Sequence, residues 1–109
     1  MPGGGMILIY ITCREKSEAR RISEHLLKKR LIACANIFPI ESMYWWKDKI
    51  NEEREFVVIA KTLEEKFDEI RGEIKKVHSY EVPCILKIEV EADEGFLEWV
   101  EGEVEDARR

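Results

Sequence analysis

The order in which hydrophobic patterns follow one another along the chain is the feature that most constrains its fold. A continuous apolar run over Met6–Cys13 indicates a strand covered on both faces, and apolar residues at helical spacing follow it at once. Two extended segments, Ile32–Trp46 and Ile50–Lys61, are separated only by Lys47-Asp48-Lys49, which predicts a hairpin. A second helical pattern and an alternating segment from Cys84 complete the order β-α-β-β-α-β. That order is typical of the ferredoxin-like α+β fold, which has helices on one face of an antiparallel sheet.

Three segments place apolar residues at helical spacing. The first follows Ser17, a candidate N-cap, and the last follows Asp93. The second starts at Thr62 and Glu65, which form the T-x-x-E pattern of a capping box. The apolar stripes are Ala19, Ile22 and Leu26; Leu63, Phe67, Ile70, Ile74 and Val77; and Phe96, Leu97, Val100 and Val104. The third helix is an addition to the ferredoxin-like order.

The second predicted strand is long and apolar and is interrupted by Pro39. Proline has no amide to donate to a neighbouring strand, so this strand is predicted to lie at an edge of the sheet, with strands one and three central. The last strand alternates, which predicts inward side chains at Leu86, Ile88 and Val90 and an outward one at Lys87. An apolar edge strand is a template for pairing with another chain, so we expect an oligomer.

Length, composition and charge limit the class of protein. The chain has 109 residues, of which 45% are hydrophobic and 38% are charged. This length and composition predict one globular domain over residues 6–109, preceded by a flexible N-terminus over residues 1–5. A protein with a net charge of −5 lacks the basic footprint of nucleic-acid-binding proteins, and the sequence has no cluster of four or more Lys/Arg residues to hold an anionic membrane. No apolar run approaches the roughly 18 residues of a membrane span. No basic segment precedes the first apolar run, so we expect no export signal and a cytoplasmic location.

The low content of Gln and Asn indicates the growth temperature of the source organism. Gln is absent and Asn occurs only at Asn36 and Asn51, whereas Glu, Lys, Arg and Ile are abundant. Thermophilic proteins favour charged residues and contain few thermolabile amides. We therefore expect a thermophilic protein with a high melting temperature.

The motifs of several enzyme and carrier classes are missing. Cys13, Cys34 and Cys84 stand far apart in apolar runs, without C-x-x-C spacing, so we expect buried free thiols. Acylphosphatases share the scaffold but use a Gly-rich anion loop after the first strand, and Thr12–Lys16 contains no glycine. No Ser-His-Asp order, nucleotide-binding fingerprint or H-E-x-x-H motif occurs. We therefore expect no enzymatic activity.

Five motifs stand in a fixed order along the chain. They are Leu31-Ile32-Ala33-Cys34-Ala35-Asn36-Ile37-Phe38-Pro39, Met43-Tyr44-Trp45-Trp46, Lys61-Thr62, His78-Ser79-Tyr80-Glu81-Val82-Pro83 and Phe96-Leu97-Glu98-Trp99. Together they resemble the CutA divalent-cation tolerance family, and the resemblance extends from about Met6 to Val104. It implies a ferredoxin-like protomer in a PII-like homotrimer, tolerance of divalent metal ions, and copper binding in some members.

The resemblance implies a metal site whose ligands this sequence matches in part. Copper-binding members are credited with a cysteine just before a threonine in the first strand, where this chain has Ile11. They are also credited with two adjacent histidines, of which Val77 replaces the first and His78 keeps the second. Cys13 lies one residue beyond the threonine, and Glu81 follows His78 at i+3. Imidazole and carboxylate ligands suit copper(II) or another divalent cation, so the predicted metal ligands are His78, Glu81 and Cys13.

The resemblance is also compatible with a ligand-binding cleft between protomers. Lys61 would supply a cationic wall, and Tyr80 and Trp46 would supply aromatic surface. Tyr44, Trp45 and Trp46 are predicted to pack in the core or in a subunit interface. The first alternative function is a PII-like regulatory module that binds a small anionic ligand in this cleft. The second is an enzyme on the ferredoxin-like scaffold, because a fold does not determine a function.

Overall fold

Between residues 5 and 104, four strands and three α-helices follow one another in the order that the hydrophobic patterns predict. The computed structural model describes residues 5–104. Its elements are β1 (Met6–Cys13), α1 (Lys16–Lys28), β2 (Cys34–Trp46), β3 (Lys49–Leu63), α2 (Phe67–Val77), β4 (Ile85–Glu89) and α3 (Glu94–Val104), with a 3-10 turn (Glu64–Lys66) before α2. The α+β class with an added C-terminal helix is confirmed. Of the predicted flexible N-terminus, residues 1–4 lie outside the described residues, whereas Gly5 accepts a hydrogen bond from the Glu64 amide.

The strands form one antiparallel sheet in the order β2-β3-β1-β4. β1 and β3 are central and β2, which carries Pro39, is an edge strand, as predicted. An edge strand tolerates proline because one side of its backbone has no strand to bond.

β1 is covered differently on its two faces. Ile9 and Ile11 are fully buried under α1 and α2, which form the helical layer. Their neighbours along the strand face the opposite way, where α3 packs Val100 against Met6 and Leu63 at one end of the sheet. Burial on both faces accounts for the uninterrupted hydrophobic run of this strand.

β4 turns its apolar side chains away from the helical layer. Lys87 pairs with Ile9, and directly paired residues share a face, so Lys87 lies on the helical side. Its Nζ is 2.6 Å from the Glu64 carboxylate there. Leu86 and Ile88 face the opposite way and are 51% and 42% exposed, so the prediction that they face the core is wrong. Alternation shows which residues share a face, but the position of the helices decides which face they cover.

β2 and β3 continue well beyond the rest of the sheet. Their ladder runs as far as the pair of Trp46 and Lys49, whereas β1 pairs with β3 only as far as Phe56. Residues 40–55 therefore form a two-stranded arm. At its tip Lys47-Asp48 has φ of 53° and 65°, the positive values that a type I′ hairpin turn requires.

The arm leaves large apolar side chains uncovered. Met43, Trp45 and Ile50 are 69%, 71% and 59% exposed. A two-stranded hairpin is at best marginally stable by itself, and such exposed apolar surface commonly marks an interaction site. Trp45 does not pack in the core of the protomer, so a subunit interface is the predicted location that remains for it.

Two predicted helix caps do not form. Ser17 lies inside α1 and makes no capping hydrogen bond. Thr62 belongs to β3, and its hydroxyl donates a 2.6 Å hydrogen bond to the Leu31 carbonyl oxygen. The ladder with β1 extends to Leu63 and keeps Thr62 extended, so α2 begins only at Phe67. None of the helices described between residues 5 and 104 has the length and apolar composition needed to cross a membrane.

Candidate metal site

Three buried side chains that can bind a metal ion meet beside the end of β1. Cys13 is the last residue of β1, Glu18 lies in the first turn of α1, and His78 follows α2. One donor atom from each residue lies within 4.8 Å of the other two. Cys13 and Glu18 are 0% and 3% exposed, and the His78 side chain is fully buried. These three residues are referred to as the metal group.

Both ring nitrogens of His78 are hydrogen-bonded, and their partners define its tautomer. Nε2 lies 2.8 Å from the Thr12 carbonyl oxygen, which can only accept, so Nε2 carries the proton. The Tyr80 amide donates to Nδ1 at 3.0 Å, so Nδ1 carries the lone pair. Nδ1 also lies 3.7 Å from a carboxylate oxygen of Glu18. The unprotonated nitrogen of His78 therefore lies near Glu18, while its lone pair accepts the Tyr80 amide.

Glu18 is held as a buried carboxylate by backbone amides. Arg14 N–H donates to Oε1 at 2.9 Å, and Ser79 N–H donates to Oε2 at 2.7 Å. Burial alone would raise the pKa of Glu18, but hydrogen bonds from these two amides and from the Ser79 side chain outweigh it, so the pKa lies below its usual value. The position at the start of α1 also favours negative charge. Glu18 is therefore ionised at neutral pH.

Cys13 is protonated at neutral pH. Burial, and then the charges of Glu18 and Glu55, raise the pKa of the Cys13 thiol to about 12. A metal ion binds the thiolate, so binding must displace this proton. Cys34 and Cys84 are only partly buried, so the prediction of buried thiols holds for Cys13 alone within the protomer.

The metal group suits a borderline or soft divalent cation. A thiolate, a carboxylate and an imidazole are the ligands that favour zinc and copper over magnesium and calcium. The thiolate and the carboxylate together balance the charge of a divalent ion, so the buried site would carry no net charge. Glu18 also keeps at least one free lone pair, because its carboxylate has about four and the two amides and the Ser79 side chain use at most three.

The structure brings together two of the three predicted metal ligands. Cys13 and His78 belong to the metal group, whereas Glu81 is exposed and lies outside it. The third member is Glu18, which sequence analysis missed. An acidic residue in the first turn of a helix is commonplace, and only the meeting of α1 with the segment after α2 places Glu18 beside His78.

A cleft of about 790 Å³ lies beside the metal group, between the arm and the turn that follows α2. Of the predicted cleft residues, Tyr80 and Trp46 line it. Lys61 does not line it; its Nζ lies 5.7 Å from the centre of the Phe96 ring, beneath α3. The β3 register carries Lys61 to the far end of the sheet from this cleft, and its role as a cationic wall between protomers stays a prediction.

The cleft is acidic. Among the described residues it is lined by four glutamates and one arginine: Glu41, Glu53, Glu55, Glu81 and Arg14. Glu55 is 6% exposed and accepts a 2.5 Å hydrogen bond from the Tyr80 hydroxyl. Burial and this hydrogen bond raise the pKa of Tyr80 above its usual value. The charge of the lining disfavours an anionic ligand in the protomer.

The chain has close relatives among known proteins. It is 50% identical over 98 residues to the divalent-cation tolerance protein CutA of Archaeoglobus fulgidus, a match that covers 89% of this chain and 96% of that protein. It is 41% identical over 96 residues to the protein of the same name from Pyrococcus horikoshii, with 87% and 94% covered.

Solved structures are similar to it over most of its length. A structure described as the periplasmic divalent cation tolerance protein CutA from Archaeoglobus fulgidus has a TM-score of 0.90 at 48% identity, covering 92% of this chain and 99% of that one. CutA1 from Oryza sativa has a TM-score of 0.90 at 30% identity, covering 95% and 97%. The family model described as CutA1 divalent ion tolerance protein matches residues 7–103. The fold, the motifs and these matches together establish that the chain belongs to the CutA1 divalent ion tolerance protein family.

Proposed function

We propose that this protein is a non-enzymatic homotrimer that binds copper(II), or another divalent cation, in the metal group formed by Cys13, Glu18 and His78. The observation that carries the proposal is the approach of three donor atoms of different chemical type to within 4.8 Å of one another in a buried site. The family name, divalent ion tolerance, agrees with such a site.

Copper(II) is the cation that the ligand chemistry favours. It ranks above the other first-row divalent ions in affinity for imidazole, thiolate and carboxylate ligands. Zinc follows it and has the same charge, so the two ions compete for the metal group. Glu81 is exposed and stands outside the group, so it is not a ligand in this proposal.

The exposed apolar arm supports assembly into a homotrimer. The arm carries Met43, Trp45 and Ile50 beyond the protomer core, and both edge strands have an unpaired side. If each arm packs on the next protomer, three copies close a ring in which no edge remains free. A solution mass equal to that of one protomer at micromolar concentration would contradict this assembly.

The chemistry of the metal group supports a binding role rather than a catalytic one. A thiol with a pKa of about 12 is a poor nucleophile at neutral pH. The lone pair of His78 faces the Tyr80 amide, which has no proton to surrender in general base catalysis. The group is therefore suited to holding an ion.

Calorimetric titration of the purified full chain with copper(II) and zinc(II) tests the proposal. We expect one ion per protomer in the parent, and at least about 10–100-fold weaker binding in Cys13→Ser, Glu18→Gln and His78→Ala. Matched controls are Glu81→Gln and His25→Ala, which should bind as the parent does. His25 also bonds a carboxylate, Glu73, at 2.8 Å, but it lies outside the metal group.

Two results would contradict the proposal. One is unchanged copper(II) affinity in His78→Ala, which would place the ion elsewhere. The other is absence of metal binding together with tight binding of ATP, which would favour the PII-like alternative despite the acidic cleft.

A further inference from the structure

Tyr80 joins the metal group to the neighbouring cleft. Its amide donates to Nδ1 of His78 at 3.0 Å, and its hydroxyl donates to Glu55 at 2.5 Å. Its ring centre is 4.9 Å from that of His78 and 5.0 Å from the Arg14 guanidinium. Tyr80 therefore contacts the metal group through its backbone amide and the cleft residue Glu55 through its hydroxyl.

Nδ1 of His78 cannot bind an ion and accept the Tyr80 amide at the same time. It has a single lone pair, whereas the opposite nitrogen carries the proton that faces the Thr12 carbonyl oxygen. Glu18 is different, because its carboxylate has about four lone pairs, of which the two amides and the Ser79 side chain use at most three. An ion in the metal group must therefore displace the Tyr80 amide while it can leave the Ser79 and Arg14 amides in place.

We propose that a divalent cation bound in the metal group releases the Tyr80 amide from His78 and thereby shifts residues 80–82 of the turn after α2, which form one wall of the cleft. The inference rests on the proposed function, because it requires an ion at His78. It adds a conformational consequence: occupation of the metal group changes the shape of a separate, exposed surface.

The turn is able to respond because it is poorly packed. Ser79, Glu81 and Val82 are exposed, Val82 at 73%, so a released amide can be hydrated. Local openings of this kind occur where few buried apolar contacts hold the backbone. The coupling is also reciprocal, so any contact that keeps the Tyr80 amide on His78 lowers the affinity of the metal group for the ion.

Amide hydrogen exchange measured by NMR on the full chain, with and without zinc(II), tests the inference. Zinc(II) is diamagnetic and leaves the amide signals observable. We expect exchange at Tyr80 to accelerate about tenfold or more when zinc(II) is bound, as the loss of one hydrogen bond implies. The amides of Ser79 and Arg14, which donate to Glu18, should exchange at the same rate as before and serve as internal controls.

The zinc(II) affinity of a variant that lacks the hydrogen bond between the Tyr80 hydroxyl and Glu55 is a second measurement. Tyr80→Phe loses the hydroxyl that bonds Glu55 but keeps the ring, so release becomes easier and zinc(II) should bind up to about tenfold more tightly. Tyr44→Phe is the matched control, since the Tyr44 hydroxyl bonds Glu53 on the arm, whereas the hydrogen-bond partners of His78 among the described residues are Thr12 and Tyr80. Its zinc(II) affinity should not change.

The outcomes separate the two proposals. Stoichiometric zinc(II) binding that depends on His78, with an unchanged exchange rate at Tyr80, overturns the coupling and leaves the proposed function standing. Absence of zinc(II) and copper(II) binding overturns both. Faster exchange at Tyr80, with Ser79 and Arg14 unchanged, supports the coupling.

Discussion

Replacing Glu18 with Gln should destabilise the folded protein, because the carboxylate accepts two backbone amides in a buried site. Arg14 N–H and Ser79 N–H each point at one carboxylate oxygen, at 2.9 and 2.7 Å. A glutamine side chain has one oxygen, so one amide keeps an acceptor and the other faces an NH₂ group. A hydrogen bond to a charged group contributes about 1.5–3 kcal/mol, and an unsatisfied buried amide costs about 1–3 kcal/mol. We expect a loss of about 2–4 kcal/mol in the free energy of unfolding.

The same substitution should change how stability depends on pH. The pKa of Glu18 is lower in the folded protein than its ordinary value of 4.5. The folded state therefore favours the ionised carboxylate, and this contribution is complete above pH 4.5 and is lost as the pH falls through the folded pKa. In Glu18→Gln the acid limb of the stability profile should be flatter than in the parent.

Guanidinium denaturation followed by circular dichroism measures both effects, at one fixed protein concentration because assembly contributes to apparent stability. Glu24→Gln is the matched control, since Glu24 lies on the exposed side of the same helix. It should stay within about 0.5 kcal/mol of the parent. A Glu18→Gln protein as stable as the control would refute the view that this carboxylate holds the two amides.

Three further predictions follow from the thiols and the composition. Cys13 should resist a thiol reagent in the native protein, because it is buried and its pKa is about 12, while the partly buried Cys34 and Cys84 react sooner; rapid modification of Cys13, identified by mass spectrometry, would contradict this. Binding of zinc(II) at pH 7–8 should release about one proton per ion from Cys13, so affinity should rise about tenfold per pH unit, and calorimetry in two buffers of different ionisation enthalpy measures the release. The absence of Gln predicts a melting transition well above the roughly 45–65 °C of mesophilic domains, and a scan that melts near 55 °C would rule out a thermophilic protein.

Much of the fold could be predicted because it depends on local spacing. Local residue types account for the bounds of β1 and for the Lys47-Asp48 turn between β2 and β3. They also account for the edge position of β2, because Pro39 has no amide to donate to a second neighbouring strand. Periodicity also identified all three helices, because burial of one stripe requires apolar residues at i, i+3 and i+4. A tertiary contact replaces the local motif at Thr62, whose hydroxyl donates to the Leu31 carbonyl oxygen and does not cap a helix.

The metal group could be predicted only in part, because its geometry depends on which ends of distant elements meet. Cys13 and His78 are recognisable as ligand types, but Glu18 becomes a partner only because the start of α1 packs beside the segment after α2. The same reason explains why Lys61 lies away from the cleft of the protomer and why Leu86 faces away from the helical layer. Side-chain alternation and helical spacing are properties of the local backbone, so the sequence alone determined the elements and their order. The meeting of Cys13, Glu18 and His78 is a long-range contact, and only the packed tertiary structure decided it.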